Sequence, residues 1–225
     1  APAQRDLGRA LAKLGRRKEA LEMLRKAMRT AGNQSGIRAE VYEIIVEVYR
    51  ADDKLRELIT ELEAQRNTDF ERLKMLGGLY EETGQVQKAL TTYRQALAKK
   101  KDDISIRLKV VQLLQIQGEL DEAIKQYEEL IRSAPRNPDY VFQLAEALIQ
   151  RGDRQKALEQ LKKLEARSAG DEETLAALVD FYERVEEKKR AMDVLQRLAK
   201  SGATDPRHLL YLGDRYWEEG DKTKA

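Results

Sequence analysis

The chain has 225 residues, 36% of them charged and 6% aromatic, with a formal net charge of +2. That near balance argues against a bulk nucleic-acid binder and against electrostatic steering to an anionic membrane. With no cysteine, disulfides, thiolate metal sites and cysteine nucleophiles are excluded, and no apolar run approaches the roughly 20 residues a membrane helix needs.

The predicted elements repeat. A first repeat, about 1–35, places Leu7, Gly8 and Leu11 on one helix, turns at Gly15, and places Ala20 and Leu24 on a second. The second, about 36–67, has Ile45, Val46 and Tyr49, then Asp53, then Leu58 and Leu62. The third, about 68–102, has Leu76, Gly77 and Tyr80, Gly84, and Ala89 with Tyr93. The fourth, about 103–136, has Val110, Val111 and Leu114, Gly118, Ala123 with Tyr127, and Pro135 near its end. The fifth, about 137–170, opens at Asn137-Pro138 and carries Leu144, Ala145, Leu148, Gly152, Ala157 and Leu161. The sixth, about 171–204, opens at Asp171 and carries Leu178, Val179, Tyr182, Glu186, Ala191 and Leu195. A partial seventh, about 205–225, opens at Asp205-Pro206 and carries Leu212, Gly213, Tyr216, Gly220 and Ala225. The chain starts and stops inside repeats, which predicts a fragment of a longer protein.

Each column has a physical meaning. Apolar residues at i and i+4 put one face of each first helix into a core. Glycine in the turn column takes the left-handed conformation that ends a helix, and alanine in the second helix permits close approach to the first. Gly84, Gly118 and Gly152 are spaced by 34 residues, a period that means a stack of like units rather than one globular core.

This pattern of small, Gly and Ala columns resembles the tetratricopeptide repeat family over essentially the whole chain. The resemblance implies an all-α fold: a single right-handed α-solenoid superhelix of antiparallel helix pairs, about six and a half repeats. Its first helices would line a concave groove and its second helices form the convex back.

The second repeat departs from the pattern. Leu58 stands where Ala is usual and Asp53 where Gly is usual, and the turn column is spaced 38 residues before it and 31 after it. A change of superhelical pitch is expected around residues 31–68. At the other end, the apolar face of Leu209, Leu212 and Tyr216 is expected to have lost part of its cover, which would favour self-association.

No catalytic or cofactor motif is present. There is no phosphate-binding Gly-x-x-x-x-Gly-Lys-Ser/Thr and no Gly-x-Ser-x-Gly elbow. The single histidine, His208, cannot make a two-histidine zinc site and reads as a solvated helix-start residue. An enzyme is therefore not expected, nor a cofactor or metal.

The resemblance places function on first-helix side chains that point away from the packing columns. In the first repeat these are basic, Arg5, Arg9 and Lys13; from the second onward carboxylates outnumber bases, among them Glu43, Glu47, Glu71, Glu146 and Asp180. In the middle lies an apolar patch of Leu108, Ile116, Phe142 and Ile149, with Gln112 and Gln115 beside it. Apolar groups there suit a peptide anchor, and amides suit an extended backbone. The competing reading is packing against the neighbouring repeat.

The expected partner is a protein or peptide, extended or helical, with an apolar anchor and basic flanks, and not nucleic acid. The lysine and arginine runs at Lys99–Lys101 and Lys188–Arg190 fall on second helices and turns, the expected back of the stack. Capture of acidic chaperone tails is not expected either: the columns where that family subtype has Lys, Asn and Arg hold Glu43, Glu47, Phe142 and Glu146 instead. The expected function is a non-catalytic scaffold or adaptor. The alternative is a structural spacer or self-associating segment of a larger bacterial secretion or envelope assembly. Cytoplasm and bacterial periplasm are both compatible with the sequence.

Overall fold

A computed structural model of the chain describes residues 1–65, 69–201 and 206–218. Asp205, Gly220 and Ala225 lie outside the described residues, as do the side chains of His208 and Leu209. Among the described residues there are thirteen helices and no strand.

The chain divides into two compact units, Ala1–Glu119 and Leu120–Ala225. The first holds α1 (Pro2–Lys13), α2 (Arg17–Ala31), α3 (Ser35–Ala51), α4 (Leu55–Glu63), α5 (Phe70–Glu82), α6 (Val86–Lys99) and α7 (Ile104–Gln117). In it α1 packs on α2 and α5 on α6, while α3 touches α1, α2, α4 and α5. The second holds α8 (Leu120–Ser133), α9 (Asp139–Arg151), α10 (Arg154–Arg167), α11 (Glu172–Arg184), α12 (Lys188–Ser201) and α13 (Pro206–Glu218). There α9 packs on α8 and α10, and α12 on α11 and α13. The fold is that of an α-solenoid built from helix pairs.

The turn column is what reverses the chain. Gly15, Gly84 and Gly118 have φ of 73° and Gly152 of 95°, and the two non-glycine members follow, Asp53 at 56° and Glu186 at 61°. In every one of these turns the next residue donates its N–H to the carbonyl of the aromatic or leucine column: Arg16 to Leu11, Lys54 to Tyr49, Gln85 to Tyr80, Glu119 to Leu114, Asp153 to Leu148 and Glu187 to Tyr182, at 2.7–2.9 Å. This six-to-one bond closes the helix and satisfies a carbonyl the helix itself leaves open.

The small column has a steric cause. A Cβ on Gly77 would lie 2.5 Å from the ring of Tyr93, and one on Gly8 would lie 2.7 Å from Cγ of Leu24. Second-helix side chains therefore rest directly on the backbone of α5 and α1. The remaining columns form the core. Val110, Leu114, Ala123, Ala145, Leu161, Leu178 and Tyr182 are buried to within 4% of completely, each large member contributing about 1.5–3 kcal/mol over exposure. Leu7 departs from the expectation that the whole first column is core: it is 50% exposed, on a helix whose main partners among the described residues are α2 and α3.

The second repeat differs in helix length, with α3 at 17 residues and α4 at only 9. Leu58 is buried in place of the usual Ala. The guanidinium of buried Arg72 on α5 donates to the Leu62 carbonyl at the end of α4.

Helix starts use aspartate more widely than the sequence suggested. Asp171 accepts from the Thr174 N–H as expected, and Asp69 and Asp103 do the same for Arg72 and Ile106. At Asp103 burial pushes the carboxyl pKa up, but bonds from Ser105, the Ile106 N–H and Lys100 outweigh it, so the group sits below its ordinary value.

Two outcomes follow. Glu186→Gly relieves a left-handed glutamate and is expected to raise stability by about 1 kcal/mol, while Gly152→Glu lowers it by at least as much; thermal melts of the two variants measure both. A depressed aspartate pKa contributes stability that is complete above the unfolded value of about 4 and is lost as pH falls through the lower folded value. Asp103→Asn keeps the cap without the titration, so urea midpoints compared at neutral pH and below about pH 4 will fall less for this variant than for the parent.

Candidate functional site

A concavity on the first unit has a volume of about 570 Å³. Three first helices build it: α3 supplies Ala39, Tyr42, Glu43, Val46, Glu47 and Arg50, α5 supplies Glu71, Lys74, Met75 and Gly78, and α7 supplies Ser105, Ile106 and Lys109. Tyr93 of α6 reaches its floor across the bare backbone of Gly77 and Gly78. A second concavity of about 400 Å³ lies between α1 and α3 and is lined by Arg9, Ala12, Lys13 and Arg17 on one side and Glu43, Ile44, Glu47, Val48 and Ala51 on the other.

Ion pairs link successive first helices within each unit. Arg5 of α1 meets Glu40 of α3 at 2.8 Å, Arg50 of α3 meets Glu82 of α5 at 2.7 Å, and Lys109 of α7 meets Glu81 of α5 at 2.9 Å. In the second unit Arg184 of α11 meets Glu146 of α9 at 3.5 Å, and Arg215 of α13 meets Glu183 of α11 at 2.9 Å. Such partly exposed pairs are individually weak, about 0–1 kcal/mol, but they commit much of the charge on this face.

Inside the concavity the Tyr93 hydroxyl donates to Glu81 at 3.0 Å. Burial, with the nearby Glu81 carboxylate, pushes its pKa far up. Burial likewise takes Tyr42 to about 12, with Asp69 adding to the shift. Glu71 is raised chiefly by burial, against the pull of Lys74 and Lys100. Both phenols thus stay neutral hydrogen-bonding groups at ordinary pH, and the lining offers apolar contact and charge. Among the described residues no group of His, Cys, Asp or Glu side chains could hold a metal ion, and no helix is long and apolar enough to cross a membrane.

The residues expected from the sequence fall on two units. On α7, Leu108 and Ile116 are 39% and 64% exposed, Gln112 is exposed and Gln115 half-buried. None of the four is among the residues that line the concavity. On α9, Phe142, Glu146 and Ile149 are half-buried, and Asp180 on α11 is exposed. The Phe142 ring stacks on buried Phe181 at 5.8 Å between centroids, and the Arg184 guanidinium lies 4.7 Å over Phe181 while pairing with Glu146. Phe142 therefore packs against the next repeat on at least one face.

Sequence reasoning missed the floor of Val46, Met75 and Ile106. Its available signal was the Gly77-Gly78 pair, which leaves a stretch of α5 without side chains.

At the end of the chain, where a face of Leu209, Leu212 and Tyr216 with part of its cover lost is expected, Leu212 is buried and Tyr216 half-buried, and the Leu209 side chain lies outside the described residues. Among the described side chains of α13, the exposed large apolar ones are Leu210 and Trp217, 70% and 62% exposed.

Comparison with known proteins agrees with this architecture. Two family models described as Tetratricopeptide repeat match residues 7–123 and 114–178. No curated protein matches the sequence. Among solved structures the chain is similar to MamA protein, at 20% identity over 74% of this chain and 91% of that one, with a TM-score of 0.53. It is also similar to YrrB, a tetratricopeptide protein with an unusual peptide-binding site, at 22% identity over 77% and 89%, with a TM-score of 0.50. A third likeness is to Naa15/Naa10 bound to HypK-THB, at 14% identity and a TM-score of 0.59; it takes in 95% of this chain but 36% of that one. These likenesses show the fold. With the first family model alone spanning more than half of the sequence, the chain belongs to the tetratricopeptide repeat family.

Proposed function

We propose that this protein is a non-catalytic scaffold that binds a peptide or protein segment along its first-helix face, through an apolar anchor with basic flanks. The observation that carries the reading is the concavity of about 570 Å³ on α3, α5 and α7. It pairs an apolar floor of Val46, Met75 and Ile106 with a rim holding Glu43, Glu47 and Glu71. A few polar groups around an apolar hollow is what ligand sites usually offer, and the carboxylates suit cationic flanks.

Leu108, Gln112, Gln115 and Ile116 extend the same face along α7. In the second unit Phe142, Glu146, Ile149 and Asp180 occupy the equivalent face of α9 and α11. The peptide-binding site of YrrB, a protein of this fold, supports the same use of the scaffold.

A second reading, a self-associating spacer, is favoured by exposed Leu210 and Trp217, two turns apart on α13. It predicts concentration-dependent oligomers in sedimentation velocity that Leu210→Glu with Trp217→Glu dissolves. A monomer at all concentrations removes it.

The binding reading is tested at Gly78, where a Cβ would meet only the Tyr93 hydroxyl at an ordinary 3.6 Å. Gly78→Arg fills the concavity and improves helix propensity by roughly 0.7–1 kcal/mol, so the fold is retained. Peptides selected on the whole protein from a displayed random library are expected to bind this variant at least about tenfold more weakly, a loss of about 1.4 kcal/mol, with an unchanged or higher melting temperature. Undiminished binding overturns the proposal.

A further inference from the structure

Resting on that peptide-binding reading, we propose that the guest is bipartite in charge. A Lys or Arg lies against Glu43 and Glu47, an apolar residue follows on the α5 side, and an Asp or Glu follows on the α1 side.

The two concavities share one wall. Glu43 and Glu47 line both the hollow on α3, α5 and α7 and the one between α1 and α3. They stand one helical turn apart, so their carboxylates form a row along the crest of α3. Opposite them, also one turn apart, stand Arg9 and Lys13 on α1. The surface therefore runs from a basic row, across an acidic row, into an apolar hollow.

The charges left over decide what fits. In the larger hollow two of the three cations are held in ion pairs, Arg50 by Glu82 at 2.7 Å and Lys109 by Glu81 at 2.9 Å, and the third, Lys74, acts on Glu71 of the same rim. Glu43 and Glu47 make no ion pair within 4 Å among the described residues. On α1 the surplus is positive. Arg5 pairs with Asp6 and with Glu40, each at 2.8 Å, Arg9 reaches the same Glu40 at 3.5 Å, and Lys13 makes no ion pair among the described residues. The hollow on the far side of α3 has Met75 and Ile106 in its floor, where the one toward α1 offers the smaller Ala12 and Ala51 with Ile44 and Val48.

Geometry sets the spacing. Neighbouring packed helices lie about 8–10 Å apart, and an extended peptide advances about 3.3 Å per residue. A chain crossing the helices therefore presents successive groups about three residues apart: acidic, basic, apolar, read from α1 to α5. Wrong charge order places like charges together and is rejected on that ground.

The test is selection of a displayed library of random linear peptides on the whole protein, in parallel with two charge-swapped variants. Enriched peptides are expected to carry an acidic, a basic and an apolar residue in that spatial order, about three residues apart. Arg9→Glu with Lys13→Glu is expected to weaken them about tenfold or more and, on reselection, to replace the acidic residue by a basic one. Glu43→Lys with Glu47→Lys is expected to replace the central cation by an acid. Reselection itself shows that each variant is folded.

Enriched peptides that lose binding to Gly78→Arg but show no charge order, or that ignore both swaps, overturn this inference and leave the peptide-binding reading standing. If no peptide is enriched, or the enriched ones bind Gly78→Arg undiminished, the reading beneath fails and the inference falls with it.

Discussion

Everything in this chain depends on a left-handed residue placed at the same point of each helix pair. That residue turns the backbone so that the next N–H reaches back to the carbonyl of Leu11, Tyr49, Tyr80, Leu114, Leu148 or Tyr182. The reversal fixes how the second helix returns along the first. It decides, for example, that Tyr93 lands on the backbone of Gly77 and not elsewhere. The steric demand is strong enough that Asp53 and Glu186 adopt the conformation although they carry side chains, a cost of order 1–2 kcal/mol for an L-residue. Tertiary geometry dictates here, and local preference yields.

Most of this is legible in the repeat columns, because each has a single cause. A period of glycines with apolar residues at helical spacing identifies the pair, and small residues mark close approach. Asp53 and Glu186 were legible as turn residues from position alone, although their chemistry argues otherwise. The aspartate caps at Asp69 and Asp103 were less legible, because capping depends on one hydrogen bond that composition does not announce.

The site was harder to read for a related reason. A groove-facing column says which helix face is outward, not how deep the surface is at that point. Ile116 and Leu108 are as apolar as Met75 and Ile106, yet depth comes from the bare backbone at Gly77 and Gly78 and from Tyr93, which belongs to a second helix. Phe142 shows the converse: its column is outward, but the partner ring of Phe181 lies a full repeat away in sequence. Which carboxylates are available to a guest is likewise a relation between repeats, since Glu81 and Glu82 pair with Lys109 and Arg50 while, among the described residues, Glu43 and Glu47 make no ion pair within 4 Å.

The pairs between first helices also mean that the repeats are not interchangeable parts. Arg50 and Glu81 hold equivalent positions in successive repeats, five residues after Ile45 and Leu76. Excising the third repeat would bring Lys109, which now meets Glu81, to face Arg50, and an attraction would become a repulsion. Lost with it would be Glu82, the partner of Arg50. The turns are much alike from repeat to repeat. The charges are not, and they work as an address that tells each repeat which neighbour it follows.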